Sequence, residues 1–249
     1  MIHLKSPQEI EIMRRAGRAT ANILREMAKN VRPGITTGEL DQIAEKMCKE
    51  LGVKPAFKGY KGFPACVCIS VNDQVVHGIP GDRVLENGDI VGLDFGVIHE
   101  GYHGDSAITV PVGTITPQAQ ALVDATRECL MKGIEQAVVG NKLFDISHAV
   151  QNYVEGLGFS VVREFVGHGI GKSLHEDPQV PNYGPKGRGV PLKEGLVLAI
   201  EPMINAGTHA IKVESDGWTA VTIDGSLSAH FEHTIAITKN GPEILTLPN

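Results

Sequence analysis

The sequence predicts a mixed α+β protein in which a curved, antiparallel-rich sheet is backed by helices. Three observations carry that expectation: paired helix-initiation signals, glycine-led apolar runs that end in a carboxylate, and connections between such runs too short for a parallel crossover. The chain has 249 residues, 42% of them hydrophobic and 21% charged, which is apolar content enough for a core and excludes a disordered or fibrous chain.

Ser6-Pro7-Gln8-Glu9 reads as a helix start, with Ser as N-cap, Pro at the first helical position and Glu closing a capping box. Ile10, Met13, Ile23, Leu24 and Met27 continue at roughly helical spacing, interrupted by Gly17. A second helix-patterned segment lies between Gly34 and Gly52. Gly88-Asp89-Ile90-Val91-Gly92-Leu93-Asp94 is a strand pattern, and Gly101-Tyr102-His103-Gly104 is a short connection ahead of Asp105-Ser106-Ala107-Ile108. Thr116-Pro117-Gln118 opens a third helix, whose apolar period runs through Leu122, Ala125, Cys129, Leu130, Ile134 and Ala137.

The later segments repeat the earlier ones in the same order. Gly34 and Gly52 map onto Gly140 and Gly158 at an offset of 106, and the Gly88 to Asp94 run maps onto Gly195 to Glu201 at 107. Asp105 to Ile108 matches Glu232 to Ile235 at 127, so acid falls on acid, and Val76-His77-Gly78-Ile79 echoes Gly167-His168-Gly169-Ile170. A duplicated helix-helix-strand-strand unit follows from this order, with halves at about 1–112 and 113–249. Pro111 to Thr116 is a short turn and not a linker, so a single pseudo-two-fold domain over 1–249 is expected.

Composition removes several classes of partner. The 23 basic against 29 acidic residues leave a net charge of -6, with no basic run longer than Arg14-Arg15, which speaks against a nucleic-acid partner. No apolar run approaches the roughly 18 residues of a membrane span, and the amino terminus becomes charged before a signal-type stretch develops. Cys48, Cys66, Cys68 and Cys129 contain no C-x-x-C pair, which suits packing roles in a reducing cytoplasm.

The matched positions Asp94, Asp105, Glu201 and Glu232, with the histidine pair His77 and His168, form an inventory suited to metal. Oxygen donors with one imidazole favour manganese, iron, cobalt or zinc, and four carboxylates exceed the need of a single ion. Two ions fit the set better. A lone acid is more often a strand cap, but Asp94 and Glu201 end apolar runs, where an uncompensated carboxylate carries a large desolvation cost.

These residues also carry a family resemblance. Asp94, Gly101-Tyr102-His103-Gly104-Asp105, Gly167-His168-Gly169-Ile170-Gly171, Ile200-Glu201-Pro202 and Phe231-Glu232-His233-Thr234 resemble the five-ligand pattern of the type I methionine aminopeptidases, over nearly the whole chain. Neither the long amino-terminal domain of prolidase-like relatives nor the insertion of the type II enzymes is expected in a chain this short. The resemblance implies a pita-bread fold, removal of the initiator methionine from peptides and nascent chains, and a monomer that uses two divalent ions, and it leaves association with ribosomes open. It implies Asp105 and Glu232 as ligands shared by both ions, Asp94 as a ligand to one, and His168 with Glu201 as ligands to the other. The repeat agrees, since Asp105 mates with Glu232 and Asp94 with Glu201.

By the same resemblance His77 steadies the substrate backbone, His175 in Leu174-His175-Glu176 stabilises the oxyanion, and Glu201 relays a proton to the leaving amine. Tyr60, Phe63, Cys68, Leu174 and Trp218 match a methionine pocket, and Asn72 with Ser228 matches a loop site for a monovalent cation. The remaining histidines carry no role at this level. Two other readings stand beside this one: a proline-directed aminopeptidase of the same fold, and a non-enzymatic peptide-binding module, which has no physical reason to retain five convergent ligands.

Overall fold

The protein is described by a computed structural model covering residues 2–248. Local signals set the four α-helices of the described residues. The Ser6 hydroxyl accepts from the Glu9 N–H while the Glu9 carboxylate accepts from the Ser6 N–H, and this reciprocal box opens α1 (Pro7–Asn30). Thr36 and Glu39 repeat the device at α2 (Thr37–Leu51), which stops at left-handed Gly52. Thr116 caps α3 (Pro117–Glu135), and the Asp145 carboxylate accepts from the Lys142 N–H at the start of α4 (Leu143–Gly156).

Gly17 does not interrupt α1. The helix runs unbroken through it, and glycine stands there because the chain packs without room for a side chain: a Cβ on Gly104 would lie 2.6 Å from the Gly17 nitrogen, and one on Gly17 would collide with the Leu245 carbonyl.

The main sheet contains nine strands among the described residues, every pairing antiparallel. Its spine runs Lys54–Pro55, Ile90–His99, Tyr102–Pro111, Glu232–Thr238, Val197–Ile200, Gly167–Gly169, Glu176–Val180, with Cys68–Val71 on the 90–99 strand and Gly241–Ile244 on the 232–238 strand. Repeat mates meet at the centre of this order. The 102–111 strand pairs with the 232–238 strand, and each is flanked on its outer side by its own half's apolar strand, 90–99 and 197–200. That arrangement has the symmetry of a two-fold axis passing between the two central strands.

The ladder between the two central strands is short, Glu232 opposite Ala107 and His233 opposite Ser106. Side-chain hydroxyls extend it. Thr234 Oγ1 accepts from the Asp105 N–H at 3.1 Å and donates to the Asp105 carbonyl at 2.7 Å. Ser106 donates to the Glu232 carbonyl at 2.6 Å, and Thr109 donates to the His230 carbonyl at 2.8 Å. Small hydroxyl side chains thereby hold the two halves together where the backbone ladder gives out.

Two details of the repeat need correction. Asp94 does not end its strand, which continues to His99 because Phe95 and Val97 still find core on the far face; Glu201 lies one residue beyond its shorter strand. The echo of His77 with His168 does not reflect topology either. The 167–169 strand sits on the 197–200 strand as the 68–71 strand sits on the 90–99 strand, whereas His77 follows Gln74–Val76, which belongs to a separate three-stranded sheet with Ile211–Val213 and Ala220–Thr222.

Each half buries its own helices. Leu24, Met27, Leu40 and Cys48 of α1 and α2 pack on Leu93, Phe95 and Val97, while Leu122, Leu130, Ile146 and Val150 of α3 and α4 pack on Leu198, Ile200 and Ile235. A third cluster spans the halves, joining Met13 and Phe63 to Val197, Ala199 and Leu174. The helices therefore cover one face of the sheet, and the residues with chemistry gather on the other.

Candidate active site

All the residues singled out as ligands, catalytic groups and pocket wall line one cavity of about 190 Å³. Asp94, Asp105, His168, Glu201 and Glu232 meet there with His77 and His175, and Tyr60, Phe63, Cys68, Leu174 and Trp218 complete the wall. Phe57 and Lys61 also line it and were missed from the sequence.

The polar floor comes from the sheet. Asp105, His168 and Glu232 are 4%, 6% and 2% exposed, and one donor atom from each lies within 4.8 Å of the others, a spacing that can hold a metal ion. Glu201 Oε1 is 3.4 Å from His168 Nε2, and Asp94 lies directly across the ladder from Cys68. Asp94 and Glu201 are half-buried, keeping part of their surface toward the cavity.

Electrostatics sharpen the picture. Burial first, then repulsion from Asp105, pushes the Asp94 carboxyl well above its ordinary range. Glu201 and Glu232 are raised by burial and then by their acidic neighbours, and burial raises Asp105 from 3.8 to about 7. Asp94 Oδ1, Asp105 Oδ1 and Glu232 Oε1 are buried without a hydrogen-bond partner. Buried acids are ordinarily paired, so unpartnered oxygens converging with an imidazole fit a divalent cation as the missing counter-charge.

The imidazoles are set by their own contacts. His168 Nδ1 lies 2.9 Å from the Gly169 carbonyl, which can only accept, so the ring proton is on Nδ1 and Nε2 is left as a lone pair facing Glu201. Burial, with His175 next in effect, lowers the His168 pKa to about 3, which keeps the ring neutral. His77, held at φ 62, meets Phe165 edge-on at 5.1 Å and Trp218 at 6.4 Å, and burial lowers it to about 4. His175 is lowered by burial and then by the Lys61 charge.

The wall opposite the carboxylates is apolar. Phe63 and Trp218 pack edge-to-face at 5.2 Å, and Leu174 and Cys68 fill the space beside them. Burial beside Asp94 pushes the Cys68 thiol up, so it serves as a small apolar group. A wider cleft of about 760 Å³ shares His168 and His175 with this cavity and carries Lys5, Glu9, Lys172 and Glu176 on its walls.

Sequence reasoning missed three supports. His230 Nε2 lies 3.8 Å from Glu201 Oε2 and lacks a hydrogen bond, Asn182 donates to the Glu201 carbonyl, and Thr234 grips Asp105. Alternation along Ser228-Ala229-His230 was the available signal for His230. Asn72, at φ 59, accepts from the Ser228 N–H through its carbonyl, so those two residues do meet, but its amide is engaged by Asp89 and Ile90.

Comparison with known proteins agrees with this geometry. The family model for metallopeptidase family M24 matches residues 11–239. The chain is 56% identical over 246 residues to methionine aminopeptidase 1 of Bacillus subtilis, covering 99% of both chains, and 54% identical over 248 residues to the methionine aminopeptidase of Clostridium acetobutylicum, again covering 99% of both. Among solved structures, methionine aminopeptidase from Thermotoga maritima superposes with a TM-score of 0.98 at 51% identity over 99% of each chain. The prolidase of Pyrococcus furiosus, at 23% identity and a TM-score of 0.79, shares the fold over 99% of this chain and 66% of its own. The curled antiparallel sheet with its four helices is thus the pita-bread fold expected from the sequence. This chain belongs to metallopeptidase family M24 and, within it, to the methionine aminopeptidases.

Proposed function

We propose that the chain hydrolyses the first peptide bond of peptides and nascent proteins that begin with methionine, as a single catalytic domain, with two divalent ions held by Asp94, Asp105, His168, Glu201 and Glu232. The observation that carries this reading is the junction, inside one small cavity, of an apolar wall with a floor of unpartnered carboxylates. At about 190 Å³ the cavity falls below the usual size of small-molecule sites, which suits a single side chain as its occupant.

Bound divalent ions would supply two things there, a Lewis acid for the carbonyl and a water made acidic enough to deprotonate near neutral pH. The donor set supports manganese, iron, cobalt or zinc. Asp105 and Glu232, repeat mates on the two central strands, would serve both ions, while Asp94 would hold one and His168 with Glu201 the other. Phe63, Trp218, Leu174, Cys68 and Tyr60 would take the methionine side chain and exclude water from it. His77 would hold the substrate backbone, and His175 would donate a hydrogen bond to the carbonyl oxygen as charge develops on it. Glu201, open to the cavity on one side, would pass a proton from the attacking water to the amine nitrogen that leaves.

The rest of the polypeptide has a path in the 760 Å³ cleft that shares the His168 and His175 wall. No helix of the described residues is long and apolar enough to cross a membrane, and the four cysteines are free. The free thiols suit a reducing compartment, and the cleft suits the extended part of a peptide or nascent chain.

A release assay tests the activity. Met-Ala-Ser and Ala-Pro-Ala peptides, each with manganese or cobalt added, should give free methionine from the first and no release from the second. Release from the proline peptide alone would assign the cavity to the other branch of this fold, and no release from either would favour a binding module.

A further inference from the structure

The ring of His175 has two ring neighbours. Tyr60 stacks on it at 5.4 Å between centroids and 29° between planes, and His168 lies at 4.2 Å and 47° on it. Tyr60 also makes a hydrogen bond, its hydroxyl lying 2.8 Å from His175 Nδ1.

Tyr60 reaches this place from a tightly bonded loop. Gly59, Lys61 and Gly62 have φ of 84°, 48° and 91°, a run of left-handed residues that folds the chain back on itself. Gly59 N–H donates to the Phe63 carbonyl, Tyr60 N–H to Phe57, and Phe63 N–H to Tyr60, at 2.8–2.9 Å. Lys61, a non-glycine residue at positive φ, carries backbone strain that the surrounding loop hydrogen bonds sustain next to Tyr60.

A neutral imidazole has one proton, which can sit on either nitrogen. If Nδ1 held it, Nε2 would be a lone pair and His175 could not donate to a carbonyl oxygen. A phenol is the better donor and an imidazole lone pair the better acceptor, so the 2.8 Å contact favours Tyr60 O–H donating to Nδ1. We infer that Tyr60 is a positioning residue for His175: its hydroxyl fixes the tautomer that carries the proton on Nε2 and leaves that nitrogen to serve the substrate carbonyl. The two neighbouring histidines then hold opposite tautomers. His168 offers a lone pair because the Gly169 carbonyl takes its Nδ1 proton, and His175 offers a proton because Tyr60 occupies its Nδ1 lone pair.

This inference rests on the proposed role of His175, and its test reads the tautomer separately from turnover. Long-range proton–nitrogen correlation spectra of the isotope-labelled full-length chain, metal-free and again with zinc added, report which ring nitrogen carries the proton, with His175→Ala used to assign the signals. The wild type should show His175 protonated on Nε2, and Tyr60→Phe, which keeps the ring and removes only the hydroxyl, should shift it to a mixture of tautomers. In the release assay Tyr60→Phe should lower kcat and kcat/KM together by about tenfold, and should cost nothing further in a His175→Ala background. A wild-type His175 protonated on Nδ1, or a tautomer unchanged in Tyr60→Phe, overturns the inference. A rise in KM alone also overturns it, because that is the effect of pocket wall only. A chain that shows the expected tautomer but releases no methionine would instead sink the functional reading and leave the role of Tyr60 toward the ring intact.

Discussion

Asp105→Asn removes one charge from the carboxylate cluster at almost constant shape, and its effect on stability should change sign with metal. Asp105 is 4% exposed, its Oδ1 has no hydrogen-bond partner, and burial raises its pKa from 3.8 to about 7. Below about pH 4 the group is protonated in both folded and unfolded chains and has no pH-dependent effect. Between about 4 and about 7 the metal-free folded chain still holds the proton that the unfolded chain has released, so stability falls as pH rises. Three-odd pH units at about 1.4 kcal/mol each amount to about 4 kcal/mol lost by neutral pH. For a chain of this length that corresponds to a fall in Tm of about 8–16 °C. Asparagine cannot ionise, so the variant escapes this loss, and the neighbouring carboxylates can accept from its amide.

In the presence of a chelator, therefore, Asp105→Asn should melt above the wild type at about pH 8, and the gap should close toward about pH 4. Adding manganese should reverse the order, because the wild type gains from binding by mass action while the variant has lost a shared ligand. Calorimetric melts of both proteins across this pH range, with chelator and with manganese, measure each part. If the chelated wild type and variant kept a constant difference in Tm from acid to neutral pH, Asp105 would not be a desolvated acid awaiting a cation, and the metal assignment would lose its physical basis.

Other perturbations probe other parts of the site. Glu201→Gln should leave the circular dichroism spectrum and melting profile folded while lowering kcat by about 10²-fold or more under saturating metal, since an amide cannot carry the proton. His175→Ala should lower kcat and kcat/KM together by about 10²-fold, and a higher KM at unchanged kcat would reduce it to a binding residue. Thr234→Val preserves shape but leaves the Asp105 N–H and carbonyl without the hydroxyl that joins them, so urea unfolding should show a loss of about 2 kcal/mol.

What could be read from the sequence follows the range of the interactions involved. The helix starts at Ser6 and Thr116 are legible because each cap closes within three residues, and the other two helices lie within the glycine pairs that bound them. The carboxylates are legible for a different reason: an acid set against an apolar run violates the local pattern, and the violation repeats in both halves. Strand ends are less accessible, since whether Asp94 closes a strand depends on Phe95 and Val97 finding core beyond it, and only the packed α1 and α2 decide that. Tyr60 is the clearest case of what stays hidden. As sequence it reads as one more aromatic pocket residue, and its partner lies 115 positions away on a loop of the other half.

The same distinction explains why the site is symmetric in its acids and asymmetric in its histidines. The two-fold relation is enforced at the centre of the sheet, where the 102–111 and 232–238 strands are mates and Thr234, Ser106 and Thr109 tie one to the other beside Asp105 and Glu232. Moving outward the constraint weakens. The 90–99 strand runs to ten residues and the 197–200 strand to four, and beyond them one half offers His168 directly from a sheet strand while the other carries Cys68 at that edge and brings His77 in from a separate small sheet. A duplicated unit can supply equal acids at its axis and still leave its two outer edges to different tasks. Here one edge carries the imidazole that faces Glu201, and the other carries the Cys68 thiol that joins the apolar wall.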